Sequence, residues 1–381
     1  MKKRGKKESF HFAGGGTGGH LFPALALAEV LKRRVPTAEI VFWGTSRGLE
    51  NKIIPNTTYR LEKIPVRGFQ RRLTPANLAF PFVLLASVAK VGRQFLFRRP
   101  RAVLGTGGYV SGPVVFVAWL LWIPVFIQEQ NSFPGVTTRL LAKLARRVYL
   151  TFETSKKYFK HPKKLLVTGN PIRPEILQAD RTAALQKFGL SPEKYTLFVF
   201  GGSQGARKIN RLLAEILPNL LQGLPLQVIW STGASDFAEI SRKMEGQPNV
   251  RVFDFIAEMS LAYAAADLVV CRAGATTLAE ITAVGLPSVL IPYPFAAANH
   301  QVLNARSLEE AGAAVCLLEN ELTGEKLEQE IQRLFREPER LKKMAASAKK
   351  LARPEAAEVI VSDVFAQLNK GGRKEGAYSE A

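Results

Sequence analysis

Three glycine-rich segments are the residues best suited to hold a phosphorylated ligand. Each follows a short apolar run: GGGTGGH at 14–20, GTGGYVSGP at 105–113 and GGSQGA at 201–206. Glycine after a parallel strand lets the backbone approach a ligand closely, and the next helix presents unpaired N–H groups to an anion. Because tight turns between strands and helices also use glycine, any one loop is equally well explained without a ligand. The three together favour an extended phosphate or diphosphate.

Two common nucleotide-binding motifs fit this chain poorly. Gly14, Gly16 and Gly19 satisfy G-x-G-x-x-G, but a dinucleotide site also needs an acid at the end of the second strand, where the sequence has Trp43. The sequence has no Walker A motif with its lysine. NAD-dependent enzymes and P-loop NTPases are therefore disfavoured.

His20 ends the first glycine loop, directly before a helix predicted at 23–33. A helix N-terminus disfavours the imidazolium form, so a histidine there stays neutral and can accept a proton as a general base. A capping or packing histidine is the alternative, and both interpretations stay open at this point.

The second half of the chain has its own candidate residues. The segment CRAGATTLAE at 271–280 has the pattern of a strand, a glycine turn and a helix start. Thr277 and Glu280 match the T-x-x-E capping box, which is a structural explanation. Alternatively, Glu280 binds the vicinal hydroxyls of a ribose whose phosphates lie at the helix N-terminus. In NHQVLNA, Gln301 and Asn304 share a helix face and are either ligands or solvated polar residues.

No residue cluster in the sequence predicts a metal site. The four histidines are dispersed, no D-x-D pair occurs and no G-x-S-x-G nucleophile elbow is present. We therefore predict chemistry without a metal or a resident cofactor, in which backbone dipoles replace a cation. Cys271 and Cys316 lie in apolar runs, so we expect buried strand thiols in a reducing compartment.

Alternating elements must position these residues. Short β-rich runs alternate with helical patterns, which predicts an α/β fold with two doubly wound parallel sheets. A hinge is expected at 169–174, where GNPIRP contains two prolines and a glycine. We predict a first domain at 1–172, a second at 173–350, a C-terminal helix at 351–369 that returns to the first domain, and a disordered tail at 370–381.

Positive charge is concentrated in the first half of the chain. The net charge is +21, from 53 Lys+Arg and 32 Asp+Glu, and residues 1–179 hold 30 and 8 of them, respectively. Such a field attracts nucleic acid or an anionic membrane surface. The aromatic residues at 80–97 cluster with aliphatic ones instead of forming stacking platforms, which favours the membrane and disfavours nucleic acid.

Neither a signal peptide nor a spanning helix is predicted. The basic segment 1–7 is followed by no apolar core, and the apolar stretch 79–97 is interrupted by Lys90 and Arg93. We therefore expect a protein that lies on a membrane without crossing it, with region 63–101 against anionic phospholipid.

Eight motifs occur in an order and spacing that together point to one family. They are GGGTGGHLFPALALAEVL, GTGGYVSGP, EQNSFPG, GNPIRPE, GGSQGA, FIAEM, RAGATTLAEI and NHQVLNA. Over about residues 10–365 the chain resembles the MurG family of bacterial peptidoglycan N-acetylglucosaminyltransferases.

The resemblance implies a GT-B fold, in which two Rossmann-like domains face each other across a cleft. It implies inverting, metal-independent transfer of N-acetylglucosamine from UDP-N-acetylglucosamine to the C4 hydroxyl of the muramoyl sugar of lipid I, which forms lipid II for the cell wall. It also implies a peripheral protein on the cytoplasmic face of the bacterial membrane, and it leaves open partners among proteins of wall synthesis and division.

Residue roles follow from the same resemblance. Ser203 is expected beside the diphosphate, the Ile256 backbone at the uracil and Glu280 at the ribose, with His20 as the candidate base. The implied donor positions are Thr17, Gly18, Gly19, Asn131, Arg173, Ser203, Ile256, Ala275, Thr276, Thr277, Leu278, Ala279, Glu280 and Gln301, with Gly202, Gln204 and Asn304 as further candidates. The implied acceptor positions are Gly16, Gly107, Gly108 and Tyr109.

One position departs from the family pattern. Many relatives have an acid just before the N-H-Q run, where this chain has Ala298, so donor affinity or sugar selectivity is expected to differ if that acid contacts the sugar.

Two other functions stay open. A UDP-sugar-dependent diacylglycerol glycosyltransferase shares the fold, membrane face and donor but does not need the GGTGGH and GTGGY pair. The alternative of another class is a basic nucleotide- or nucleic-acid-binding protein.

Overall fold

The chain is divided into two compact units. The computed structural model describes residues 8–66, 80–202 and 204–375. The described residues up to Arg173 and those from Pro354 onward form one unit, and Pro174–Arg353 forms the other. The chain therefore leaves the first unit once and returns to it for its last helix.

The first unit is built on a parallel sheet, which has seven strands within the described residues. In chain order these are β1 Ser9–Gly14, β2 Glu39–Gly44, β3 Arg60–Lys63, β4 Ala102–Gly107, β5 Val125–Glu129, β6 Arg147–Leu150 and β7 Leu165–Val167. Their order in the sheet is β3-β2-β1-β4-β5-β6-β7, and neighbouring strands are parallel. The central strands are buried along their whole length, which explains their continuous apolar sequence.

Helices cover this sheet and follow its strands. They are α1 Gly18–Arg34, α2 Glu50–Ile53, α3 Phe80–Phe97, α4 Ser111–Leu120 and α5 Val136–Leu141. One apolar cluster lies under α1 and a second under α3 and α4. The sheet is thus packed on both faces, as the alternating pattern predicts.

The second unit repeats this architecture. Its strands are β8 Tyr195–Phe200, β9 Leu226–Ser231, β10 Val250–Phe253, β11 Leu268–Cys271, β12 Ser288–Leu290 and β13 Ala314–Cys316. Its helices are α6 Arg181–Phe188, α7 Arg207–Gly223, α8 Phe237–Lys243, α9 Met259–Ala265, α10 Ala275–Val284, α11 His300–Glu310, α12 Gly324–Arg336 and α13 Pro338–Leu351. The strand order is β10-β9-β8-β11-β12-β13, again parallel. Cys271 and Cys316 end β11 and β13 as free, buried thiols, which confirms the prediction of two buried strand thiols.

The strand order changes direction once in each sheet. In the first unit the change falls between β1 and β4, and in the second between β8 and β11. Open α/β sheets bind ligands at the carboxyl ends of the strands at this switch point. All three predicted glycine loops follow one of these four strands.

The last helix, α14 at Ala356–Glu375, packs on the first unit. The Asp363 carboxylate accepts hydrogen bonds from Arg147 Nε at 3.0 Å and from the Tyr149 hydroxyl at 2.9 Å. The helix runs past Asn369 to Glu375, and so includes the first residues of the tail that was predicted from residue 370. Residues 376–381 of that predicted tail lie outside the described residues.

Helix α3 has a composition that differs from expectation. Among the described residues it is the one helix long and apolar enough to cross a membrane by length and composition, with a mean hydropathy of 1.3. The interruptions at Lys90 and Arg93 do not exclude it, because the surrounding phenylalanine, leucine and valine outweigh two cations. Val91 and Phe95 are nevertheless buried, and Phe95 packs edge-on to His11, so one stripe of α3 belongs to the core of the first unit.

Candidate active site

His20 lies in the first turn of α1, at the carboxyl end of β1. The helix begins at Gly18 and not at Pro23 as predicted, because the two glycines adopt helical backbone after Thr17, which is extended. The His20 Nδ1 atom lies 3.1 Å from the Thr106 carbonyl oxygen and 2.9 Å from Gln130 Oε1. A backbone carbonyl only accepts hydrogen bonds, so Nδ1 carries a proton, and in the neutral imidazole the lone pair is therefore on Nε2. A neutral imidazole in this tautomer has the form of a general base.

The second glycine loop makes room for this imidazole. Gly107 has φ +108°, and a Cβ on it would lie 2.6 Å from His20 Nδ1. A Cβ on Gly108, whose φ is +77°, would lie 2.8 Å from the Gly15 carbonyl oxygen. The Thr106 hydroxyl also donates to the His20 carbonyl at 2.8 Å. Glycines at 107 and 108 are therefore required so that the loop after β4 can pack on the loop after β1.

Two of the predicted acceptor positions have backbone N–H groups that are already engaged. The Gly16 N–H donates to Glu50 Oε2 at 2.8 Å, and the Gly107 N–H donates to the Ser111 hydroxyl at 3.1 Å. These two glycines therefore contribute loop shape, and an incoming anion would have to compete for their amides.

Glu50 is a residue of this site that sequence reasoning missed. It is fully buried, and its second oxygen accepts the Thr45 N–H at 2.7 Å. The carboxylate thus ties the loop after β2 to the first glycine loop. The signal was a single acid after the glycine-containing stretch GTSRGL, seven residues beyond Trp43, where an acid was sought.

Glu129 orders a third loop at the same edge of the sheet. Its Oε1 accepts the Asn131 N–H at 3.0 Å, and its Oε2 accepts the Gly135 N–H at 3.3 Å. Burial raises the pKa of Glu129, and these hydrogen bonds oppose that rise. Asn131, a predicted donor position, is therefore held in a defined loop conformation.

The other predicted residues of the first unit lie around α1 and the loop after β4. Thr17 is the N-cap residue of α1; its backbone is extended, and its side chain makes no capping hydrogen bond. Tyr109 is 58% exposed. The Arg173 guanidinium lies 4.6 Å from the ring centroid of Phe22, on α1. The structure thus brings Thr17, Gly18, Gly19 and His20 together with Gly107, Gly108 and Tyr109 at the β1–β4 switch point.

In the second unit, α10 begins at the switch point with no side-chain cap. Its N-cap is Gly274, and Thr277 is the third helical residue, so the capping-box interpretation of Thr277 and Glu280 is wrong. The extended backbone of Gly274 starts the helix earlier than that interpretation requires. The first turn of the helix, at Ala275, Thr276 and Thr277, therefore lies at the carboxyl end of the sheet. Leu278 and Ala279 continue the helix toward Glu280.

Glu280 is held by a tyrosine that the sequence did not single out. Its Oε2 accepts a hydrogen bond from the Tyr263 hydroxyl at 3.0 Å, and Glu280 and Tyr263 are 5% and 1% exposed. The Tyr263 ring packs edge-on to Phe198 and Phe200, on β8. A buried carboxylate in the second turn of α10 is thereby fixed in direction.

Gln301 and Asn304 differ sharply in their surroundings. Gln301 Oε1 accepts the Tyr293 N–H at 2.9 Å, and the residue is partly exposed. Asn304 is fully buried, and its Nδ2 donates to the Ala273 carbonyl at 3.3 Å. Asn304 therefore fastens α11 to the turn before α10, and direct ligand contact is not open to it.

The remaining predicted donor residues lie on loops of the second unit. Gly202 has φ +87°, Gln204 is exposed, and Ile256 is buried beyond the end of β10. Ser203 lies outside the described residues. Ala298 has φ +51°, a left-handed conformation that is uncommon for alanine. In the described part of the chain, no group of three or more His, Cys, Asp or Glu side chains is arranged to hold a metal ion.

Comparison with known proteins identifies the family. The model of the glycosyltransferase family 28 N-terminal domain matches residues 10–150, and that of the family 28 C-terminal domain matches residues 196–360. The UDP-N-acetylglucosamine–N-acetylmuramyl-(pentapeptide) pyrophosphoryl-undecaprenol N-acetylglucosamine transferase of Desulforamulus reducens is 45% identical over 358 residues, which is 92% of this chain and 96% of the relative. The transferase of the same name from Moorella thermoacetica is 45% identical over 365 residues, covering 94% and 98%.

A solved structure agrees with these sequence relatives. The crystal structure of Acinetobacter baumannii MurG matches with a TM-score of 0.72 and 30% identity, covering 93% of this chain and 98% of that one. The chain therefore belongs to glycosyltransferase family 28 and, within it, to the MurG family of N-acetylglucosamine transferases.

Proposed function

We propose that this protein transfers N-acetylglucosamine from UDP-N-acetylglucosamine to the C4 hydroxyl of the muramoyl sugar of lipid I, forming lipid II for peptidoglycan synthesis. The observation that carries the proposal is the 45% identity over 92% of the chain to a transferase named for this donor and acceptor. The glycine loops at both switch points support it, because a reaction between two diphosphate-linked substrates needs two anion sites.

The second unit is the proposed donor site. The first turn of α10, at the carboxyl end of the sheet, suits the diphosphate, and Glu280, held by Tyr263, suits the ribose hydroxyls. Gln301 uses its carbonyl on the Tyr293 N–H, which leaves its amide N–H groups directed elsewhere as donors for a sugar hydroxyl. Ile256 and the loop at 201–206 remain predicted contacts of the uracil and the phosphates.

The first unit is the proposed acceptor site, with His20 as the base. As the C4 oxygen attacks the anomeric carbon, its proton passes to His20 Nε2. The new C–O bond forms as the bond to the UDP oxygen breaks on the opposite face, so the anomeric centre inverts. Helix N–H groups at α10 stabilise the charge that develops on departing UDP, which is how we expect the transfer to proceed without a metal.

The acceptor is lipid-linked, so the proposal includes attachment to the membrane surface. A group of exposed large apolar side chains lies on α3, on α4, which packs against α3, and just after α4: Phe82, Leu85, Leu96, Phe97, Phe116, Trp119, Leu120 and Trp122. Lys90, Arg93, Arg98 and Arg99 are exposed beside them. Attraction of roughly 1 kcal/mol per cation at an anionic surface would add to burial of this patch. Residues 67–79 of the predicted membrane region lie outside the described residues.

A reconstitution with matched acceptors tests the function. Purified protein, UDP-N-acetylglucosamine and EDTA are incubated with a lipid I analogue or with diacylglycerol. We expect lipid II from the first mixture and no glycolipid from the second. Transfer to diacylglycerol alone would favour the alternative glycosyltransferase, and transfer that returns only when a divalent metal is restored would overturn the metal-free mechanism.

Vesicle binding tests the membrane attachment separately. We expect the protein to sediment with phosphatidylglycerol vesicles at low salt, to be released as salt is raised, and to bind phosphatidylcholine vesicles weakly. Equal binding to both lipids at all salt concentrations would contradict the electrostatic part of the proposal. Binding to nucleic acid but to neither vesicle would support the alternative function, a basic nucleotide- or nucleic-acid-binding protein.

A further inference from the structure

We propose that Gln130 is the residue that positions His20 for catalysis. The proposal rests on the proposed function, in which His20 accepts the acceptor's hydroxyl proton. Gln130 follows β5 and is 2% exposed, so it is a positioning residue that acts through the imidazole and does not touch the substrates.

The orientation of the Gln130 side-chain amide is determined by its neighbours. Its Nε2 donates to the Thr106 carbonyl oxygen at 2.7 Å and to the Gln128 carbonyl oxygen at 3.3 Å. A flipped amide would place Oε1 against these two oxygens, which would be repulsive. Oε1 must therefore face His20, where it lies 2.9 Å from Nδ1.

Two acceptors then converge on one imidazole N–H. The Thr106 carbonyl and Gln130 Oε1 both accept from His20 Nδ1, so the proton stays on Nδ1 and the lone pair on Nε2. The backbone of Gly107 lies against the same part of the ring. The side-chain torsion of His20 is thus restrained along with its tautomer. A general base needs this restraint so that its lone pair points at the hydroxyl hydrogen that it removes.

An amide suits this position better than a carboxylate. A carboxylate at 130 could accept a hydrogen bond from His20 but could not donate one to the Thr106 carbonyl, so the bond between residue 130 and Thr106 would be lost. The nearby carboxyl group is instead that of Glu129, the preceding residue, and its oxygens accept hydrogen bonds from loop amides. Gln130 is therefore expected to matter for the geometry of His20 and to leave donor binding unchanged.

The test replaces Gln130 with methionine, which has a similar volume but no strong acceptor. Gln227→Met is the matched control, because Gln227 is equally buried and bridges Ser191 and Thr196 in the second unit. We expect Gln130→Met to lower kcat about tenfold, as loss of one hydrogen bond to the base would do, with donor KM unchanged. Gln227→Met is expected to lower Tm while keeping kcat.

A double variant, in which Gln130→Met is added to His20→Ala, separates positioning of the base from a general structural effect. In His20→Ala, adding Gln130→Met should have no further effect on the residual transfer rate, because the residue that Gln130 positions is already gone. A second tenfold loss there would overturn the proposal, as would a normal kcat in the single variant Gln130→Met.

Nitrogen-15 spectra of the imidazoles provide a readout that does not depend on activity. The chain has four histidines, and His20→Ala assigns the His20 signals by their loss. At a pH where His20 is neutral, wild type should show a protonated Nδ1 and an unprotonated Nε2, and Gln130→Met should shift the Nδ1 signal, because only the Thr106 carbonyl then accepts from it; identical spectra would count against the proposal. If His20→Ala itself keeps a normal kcat, the base assignment under the proposed function fails, whereas an impaired His20→Ala with a normal Gln130→Met overturns only the role of Gln130.

Discussion

The two switch points of this molecule have the same topology and different buried polar side chains. At β1–β4, Glu50 accepts the Gly16 N–H, Ser111 accepts the Gly107 N–H, and His20 Nδ1 lies within hydrogen-bond distance of the Thr106 carbonyl. At β8–β11, helix α10 starts after Gly274, and the carboxylate of Glu280 accepts a hydrogen bond from Tyr263. The first switch point therefore holds an imidazole among fixed loops, and the second holds a buried carboxylate one turn into a helix.

Under the proposed function, this difference lets one fold supply both halves of a transfer reaction. A base must be restrained in direction, and the Thr106 carbonyl and Gln130 would restrain His20 in this way. A donor site must bind phosphates and a ribose, and the first turn of α10 together with Glu280 would do so. The strand order sets where a site forms, and the side chains around it set which chemistry the site performs.

The largest expected effect is on the base. His20→Ala should lower kcat by about 10²- to 10⁴-fold, the usual range for a general base, and leave donor KM within about twofold. Initial rates with a lipid I analogue measure both constants. His161→Ala, which alters an exposed histidine of the first unit, is the control and should be neutral. A His20→Ala enzyme with nearly normal kcat would remove the contrast between the two sites.

The next effect is on the donor side. Glu280→Ala should raise the donor KM by about 10- to 100-fold, because a charged acceptor for the ribose hydroxyls is lost. Calorimetry with UDP and 2′-deoxy-UDP measures this directly. Wild type should prefer UDP, and Glu280→Ala should bind the two ligands equally. If the preference for UDP survives the substitution, Glu280 is not the ribose ligand.

A smaller effect is expected at the residue behind Glu280. Tyr263→Phe keeps the ring on Phe198 and removes the hydroxyl that directs the carboxylate, so donor KM should rise about fivefold with kcat unchanged. Tyr149→Phe is the matched control, since it removes an equally buried hydroxyl whose partner is Asp363. Equal donor KM values in the two variants would show that the Tyr263 hydroxyl does not direct Glu280 and that Tyr263 acts only in packing.

Much of the fold could be predicted because its signals are local. Apolar runs followed by glycine identified β1, β4 and β8, and the 271–280 pattern identified β11 together with the start of α10. Parallel sheets buried on both faces leave a simple pattern in sequence. The glycine loops were found for the same reason, since each is a continuous segment.

The partners of the site residues could not be predicted in the same way. Gln130 reaches His20 across 110 positions, and Glu50 reaches Gly16 across 34, so no local pattern joins them. The N-terminus of α1 was misjudged because Pro23 is a common first-turn residue, whereas here it lies inside the helix. Side-chain networks depend on which strands become neighbours, and only the assembled sheet supplies that information.

The smallest expected effect concerns the loop before α11. Ala298 and Asn299 both have positive φ, at +51° and +53°, a conformation that aspartate and asparagine adopt more readily than alanine. Ala298→Asp should therefore leave Tm unchanged or slightly raised, and it should lower donor KM by about two- to fivefold if an acid here accepts from a sugar hydroxyl. Ala298→Asn is the control for backbone preference without charge. An improvement in KM shared by both variants would assign the effect to loop conformation, and a raised KM in Ala298→Asp would show that this enzyme's donor site is adapted to the absence of the acid.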